Sequence, residues 1–176
     1  IHDEKGHNTS YRNITLSTCG IVPKIYELAD EGIPITLSIS LHSPFDEDRK
    51  SIMPIGKRYS IADIIEACKY YDNKNNRRIT MEYTLIEGIN DRKKDSDELI
   101  RILKGINCHV NLIPLNPIEE FEQKKSSDMN IEKFKTRLDK ANIPVTIRRE
   151  MGGDINASCG QLRRKYTNNK DFKTFQ

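Results

Sequence analysis

The sequence predicts an α/β domain whose parallel strands are joined by crossover helices. Two observations predict it. Segments of period-two hydrophobicity alternate with segments of helical period along the whole chain. Their order, β-α-β-α-β-α-β-α-β, is the order that parallel strands with helical crossovers require. A third observation places function. Small hydroxyl, amide and imidazole groups gather at the carboxyl ends of the strands, while the strand middles are apolar.

The elements follow in order. Residues 12–17 alternate as a strand. Pro23 sits where the first turn of a helix tolerates proline, and Gly32 stops that helix. Residues 35–40 form a second strand, with Ile35, Leu37 and Ile39 on one face. Ser60-Ile61-Ala62-Asp63 reads as a capping box opening a helix whose stripe is Ile61, Ile64, Ile65 and Cys68. Cys68 thereby has a simple place as a small core residue. Ile79–Leu85 is a third strand, and residues 96–103 a helix ended near Gly105. Residues 108–113 are a fourth strand stopped by Pro114. Residues 117–129 are expected to be a polar, mobile loop. Asn130 is expected to cap a helix with Ile131, Phe134, Leu138 and Ala141 inward, before a fifth strand at residues 145–149. Two architectures fit this order, a doubly wound sheet or part of a (β/α) barrel. Neither G-x-G-x-x-G nor G-x-x-x-x-G-K-[ST] occurs, which weighs against the nucleotide-binding versions of the first. In both, ligands bind beyond the carboxyl ends of the strands.

Composition narrows the class. The chain has 176 residues, 31% charged and 36% hydrophobic, with no Trp. That length suits one domain with a substantial core, and no apolar run is long enough for a membrane span. Residues 1–7 lack the apolar core of a signal peptide, and the chain does not begin with Met, so it is expected to be a piece of a longer protein. The four cysteines stand at positions 19, 68, 108 and 159 with no C-x-x-C pair, which suggests reduced thiols in a cytoplasmic protein. Residues 148–176 hold seven Lys/Arg against three Asp/Glu, while the whole chain is only +3. A basic end on a neutral body suits a polyanion as well as it suits a solvated tail.

The candidate site residues lie at the strand ends. They are Ser17-Thr18-Cys19-Gly20, Ser40-Leu41-His42-Ser43-Pro44, Glu82-Tyr83, Asn111 through Pro117, and Arg148-Arg149-Glu150. Singly, each has an ordinary explanation: Ser17 and Thr18 could cap the next helix, Ser40 and His42 could satisfy loop backbone, and Asn116-Pro117 is a common turn pair. Their joint position on one face makes a site. Cys159 follows the last strand and the Gly152-Gly153 pair, and has small neighbours on both sides. Free cysteines are usually buried and inert, but this one lacks the large apolar neighbours of core filler.

Four ordered motifs carry a specific resemblance: Ser17-Thr18-Cys19-Gly20-Ile21-Val22-Pro23, Ile39-Ser40-Leu41-His42-Ser43-Pro44, Asn111-Leu112-Ile113-Pro114-Leu115-Asn116-Pro117, and Ile147-Arg148-Arg149-Glu150 through Cys159-Gly160-Gln161-Leu162. Over residues 12–165 the chain resembles the C-terminal half of the radical S-adenosylmethionine enzymes of the RlmN type, which methylate C2 of adenosine in 23S ribosomal RNA and certain transfer RNAs. The sister Cfr type methylates C8; Asn-Leu-Ile-Pro at 111–114 and Arg-Arg-Glu at 148–150 look more like the C2 enzymes. The resemblance implies that Cys159 carries a methyl group as S-methylcysteine, from which a deoxyadenosyl radical removes hydrogen before the carbon adds to adenine. It implies that Ser17, Ser40, Leu41, His42 and Asn116 bind S-adenosylmethionine. It also implies a [4Fe–4S] cluster, a flavodoxin-type electron donor and RNA substrates. A methyl carrier belongs on an unobstructed loop, which Gly152, Gly153 and Gly160 permit.

The departures are equally plain. The family's C-x-x-x-C-x-x-C cluster motif, its Gly-Glu-Pro-type motif and the cysteine that resolves the covalent intermediate have no counterpart in this sequence. Met151-Gly152-Gly153 stands where the family often has a second acidic residue, and Asn156 where it often has Asp. Residues 1–166 are therefore expected to be about the last four strands of a six-strand (β/α) barrel plus a C-terminal strand and loop, and residues 167–176 a polar tail. The isolated chain is expected to transfer no methyl group, since the cluster ligands lie upstream. A degenerate RNA-binding barrel is the reading from another functional class.

Overall fold

The computed structural model describes residues 5–115 and 123–148. It contains one parallel sheet of five strands: β1 (Thr15–Thr18), β2 (Thr36–Ser40), β3 (Ile79–Leu85), β4 (Cys108–Pro114) and β5 (Val145–Ile147). Spatial order equals chain order, β1-β2-β3-β4-β5, and every adjacent pair is parallel. A doubly wound sheet reverses direction at a switch point. This sheet never does, so of the two architectures left open the partial (β/α) barrel is the one observed.

The connecting helices are α1 (Val22–Asp30), α2 (Asp46–Ile52), α3 (Ile61–Asn75), α4 (Lys93–Leu103) and α5 (Asp128–Lys140). Alternate strand residues face them: Leu37, Ile39, Ile79, Met81, Tyr83, Val110 and Leu112 bury into one core with Ile25, Ile64, Leu99, Phe134 and Leu138. Residues of the opposite parity in β2 to β4 are only partly buried, except Ser38. They form the helix-free face of the sheet, the interior side of a barrel. The helix side holds the fold together, because burying a Leu or Ile contributes about 1.5–3 kcal/mol against water.

Local chemistry explains the boundaries. β1 starts at Thr15, later than the alternation from residue 12 suggests, because its ladder begins at Thr15↔Thr36. Upstream on β2 lies Pro34, which has no N–H to extend the ladder, and Tyr11–Asn13 forms a 3-10 turn instead. The predicted capping box on α3 is present: Asp63 N–H donates to Ser60 Oγ at 3.1 Å, and Ser60 N–H to Asp63 Oδ2 at 3.0 Å. Helix α4 begins three residues before the predicted Ser96, since Asp95 Oδ2 accepts the Arg92 N–H at 2.8 Å and closes the first turn. Helix α5 is capped by Ser127 rather than Asn130. The Asn130 amide donates instead to Asp91 O at 3.1 Å and Asp91 Oδ2 at 2.8 Å, tying α5 to the loop after β3. The loop expected at residues 117–129 falls partly outside the described residues. At its end Lys125 pairs with Ile86 in an isolated antiparallel bridge.

Candidate functional site

The segment from Ser40 to His42 is the most constrained piece of backbone at the strand ends. Both Leu41 N–H and His42 N–H donate to Glu82 O, at 3.1 and 3.2 Å, so β2 stops pairing regularly there. His42 then takes a left-handed conformation with φ 57°, which costs a non-glycine residue free energy and persists only where neighbours impose it. Two buried side chains impose it. Asn90 donates through Nδ2 to His42 O at 2.6 Å and to Thr84 O at 2.7 Å, while its Oδ1 accepts the Ile86 N–H at 2.7 Å. Arg49, with no exposed surface, donates from Nε to Leu41 O at 3.2 Å and from Nη2 to Cys19 O at 2.7 Å and Ser40 O at 3.5 Å. One guanidinium thereby ties the ends of β1 and β2 together, and its Nη1 is buried with no hydrogen-bond partner.

His42 is held as a neutral ring. Its Nδ1 accepts the Thr84 N–H at 3.1 Å, so in the neutral ring the proton sits on Nε2. Burial, and then the nearby charge of Arg49, pushes its pKa down to about 4. The imidazole therefore offers one N–H donor and carries no charge at neutral pH.

The helix-free face continues this polar character across the sheet. Register sets Ser17 beside Ser38, Ser40 beside Glu82, Glu82 beside Asn111, and Asn111 beside Thr146. Ser38 Oγ donates to Glu82 Oε1 at 3.2 Å, Asn111 Nδ2 to Glu82 Oε2 at 2.9 Å, and Thr146 Oγ1 to Asn111 Oδ1 at 3.4 Å. The Ser17 and Ser40 hydroxyls make no hydrogen bond among the described residues, and remain free for a ligand.

The sequence-predicted residues thus divide. Ser17, Ser40 and His42 stand at neighbouring strand ends. Leu41 is fully buried, so its side chain belongs to the core and its peptide groups are engaged by Glu82 and Arg49. Neither Ser17 nor Thr18 caps α1, whose N-cap, Ile21, has no side-chain bond; Thr18 Oγ1 accepts the Gly20 N–H at 3.2 Å. Asn116, Arg149, Glu150 and Cys159 lie outside the described residues. Arg49 and Asn90 escaped the sequence reading because both act on main-chain carbonyls, which leave no motif. Glu82 was visible in the sequence as one of the strand-end residues, with no role of its own attached.

Two prosthetic groups can be tested against these residues. The free hydroxyls of Ser17 and Ser40, the neutral His42 and the polar row suit a ligand as polar as S-adenosylmethionine. An iron–sulfur cluster does not fit. Among the described residues no group of His, Cys, Asp or Glu could hold a metal ion. Burial pushes the Cys68 thiol up to about 12 and the Cys108 thiol up to about 11, away from the thiolate that iron needs.

Comparisons with known proteins agree with the fold. The Radical SAM superfamily matches residues 1–120. The chain is 57% identical over 94% of its length to a protein of Clostridioides difficile named "Probable dual-specificity RNA methyltransferase RlmN", of which it covers 48%. A protein of the same name from Clostridium perfringens is 54% identical over 98% of the chain, which covers 50% of that relative. The chain thus spans about half the length of the curated relatives it matches. Among solved structures, a radical SAM methyltransferase from Sphaerobacter thermophilus superposes with a TM-score of 0.87 at 45% identity, over 91% of this chain and 47% of that one. A domain of a pyruvate-formate lyase-activating enzyme from Bacteroides vulgatus shares the fold alone, with a TM-score of 0.60 at 15% identity. A partial parallel barrel, a polar strand-end site and a match across residues 1–120 converge on one conclusion: the chain belongs to the radical SAM superfamily, and its relatives within it bear the RlmN name.

Proposed function

We propose that this chain is the C-terminal part of the catalytic barrel of an RlmN-type methyltransferase, which methylates C2 of adenosine in 23S ribosomal RNA and transfer RNA in the cytoplasm. One observation carries the reading. Ser17, Ser40 and His42 stand towards the carboxyl ends of two adjacent parallel strands, in a chain whose relatives bear an RNA methyltransferase name over nearly all its length. In this reading Ser17, Ser40 and the Nε2–H of His42, with Asn116, bind and orient S-adenosylmethionine, while Leu41, anchored in the core, fixes the turn between Ser40 and His42. Two molecules bound there in turn would supply the chemistry, one giving its methyl group to sulfur and the second, reduced by one electron, giving methionine and a deoxyadenosyl radical. Arg49 and Asn90 keep the binding backbone in place. Cys159 carries the methyl group on sulfur and presents it to adenine. The cluster ligands and the resolving cysteine belong to chain outside these residues, and a flavodoxin-type donor supplies electrons. No helix among the described residues is long and apolar enough to cross a membrane.

The test is product analysis with the full-length protein. Ribosomal RNA from a host lacking its own C2 methyltransferase, digested and weighed by mass spectrometry, should gain 2-methyladenosine when the gene is supplied. The C159A form should give none. Gain of 8-methyladenosine would move the protein to the Cfr type, and gain of neither would favour a non-catalytic RNA-binding barrel. The isolated chain, reconstituted anaerobically with iron and sulfide, should bind no cluster and cleave no S-adenosylmethionine.

A further inference from the structure

Glu82 is the one carboxylate on the helix-free face of β2 to β4 among the described residues, and only part of its accepting capacity is used there. It lies at the centre of the sheet, on β3, partly buried and facing the barrel interior. A carboxylate has about four acceptor positions on its two oxygens. Within the described residues two are taken, one on each oxygen, by Ser38 Oγ and Asn111 Nδ2. No cation among those residues forms an ion pair with it. Its two donors come from the strands on either side and hold the carboxylate from left and right, leaving its remaining acceptor positions unused among the described residues. Ser40, its partner in register, carries a free hydroxyl on the neighbouring strand, whose backbone runs ~4.8 Å away. The peptide oxygen of Glu82 also receives Leu41 and His42, so side chain and main chain of one residue serve the same strand end.

An anionic acceptor that is partly desolvated and only half satisfied is costly unless donors arrive from elsewhere. A metal ion is a poor match, since no acidic or imidazole cluster accompanies it among the described residues. An organic ligand bearing hydrogen-bond donors is a good one. We propose that the Glu82 carboxylate contacts the bound S-adenosylmethionine directly, accepting hydrogen bonds from a donor group of the ligand, either its ribose hydroxyl pair or its ammonium. This rests on the cofactor reading above, and adds to the site a residue that selects for donors.

Anaerobic calorimetry on the full-length holoprotein tests it, with S-adenosylhomocysteine, 5′-methylthioadenosine and the 2′- and 3′-deoxy forms of the latter as probes. E82Q should weaken S-adenosylhomocysteine by about 10- to 100-fold, the size of a hydrogen bond to a charged group. If the ribose is the donor, methylthioadenosine loses the same factor, and the deoxy forms lose little further in E82Q. If the ammonium is the donor, methylthioadenosine binds both proteins alike. Either pattern supports the contact. E82D, which keeps the charge and withdraws it by one methylene, guards against a folding artefact and should weaken binding in the same pattern. Wild-type affinity for every probe in both variants, with the wild type binding normally, overturns the Glu82 contact and leaves the cofactor reading standing. Failure of the wild type to bind S-adenosylhomocysteine at all overturns both.

Discussion

Asn90 offers the sharpest test of how the candidate site is held. It is fully buried, and its side chain satisfies three main-chain groups: His42 O at 2.6 Å, Thr84 O at 2.7 Å and Ile86 N–H at 2.7 Å. Asn90→Ala removes all three partners without adding one, at a position with no exposed surface. At about 1 kcal/mol for each net hydrogen bond, and more for a buried group left unpaired, the loss is about 3–4 kcal/mol, concentrated on the turn at His42 and the end of β3. Hydrogen exchange on the full-length protein reads this locally. The Ile86 amide should exchange at least about 100-fold faster in the variant, since 1.4 kcal/mol is a factor of ten. The α3 amides, which Asn90 does not touch, should change far less. If Ile86 protection stays within tenfold of wild type, the Asn90 bonds are not what holds the strand end, and the account of the left-handed His42 fails with them.

Three further outcomes follow from the same geometry. His42 is neutral in the fold, with its pKa lowered from 6.5 to about 4, so below pH 6.5 the unfolded chain binds the proton first. Its contribution is complete above pH 6.5 and declines as pH falls towards 4, by up to about 2–3 kcal/mol; H42N, which tolerates the positive φ, should flatten that part of a denaturation-versus-pH curve. Cys68 and Cys108, with thiols raised to about 12 and about 11 by burial, should resist iodoacetamide at pH 8 in the native full-length protein and react only in denaturant. Gly20→Ala should destabilise by about 1–3 kcal/mol in a urea titration, because its φ is +91° and a Cβ would lie 2.9 Å from Ile64 Cδ1; an unchanged midpoint would show that α3 moves aside freely.

What could be read from the sequence depended on whether a residue's task left a pattern. β3 and the capping box of α3 did, because alternation along Ile79–Leu85 and the Ser60/Asp63 pair are local. Strand order was not readable, since doubly wound and barrel sheets share the same run of elements, and only hydrogen-bonded neighbours separate them. Helix α2 went unseen for a related reason. Its seven residues, DEDRKSI, contain one apolar side chain, and the residue it buries is Arg49. A hydrophobic stripe cannot reveal a helix whose inward group is a cation, although the three acids of its first turn are the charges that a helix N-terminus favours. That same feature ties the missed helix to function. A fully buried guanidinium without an ion-pair partner among the described residues is expensive to keep, and here it holds the carbonyls of Cys19, Ser40 and Leu41 at the ends of two parallel strands. An apolar residue at position 49 would pack as well and hold nothing. The charge is explained by the strand ends that it fixes, so Arg49, invisible as part of a motif, is the residue that makes the Ser40–His42 motif a rigid one.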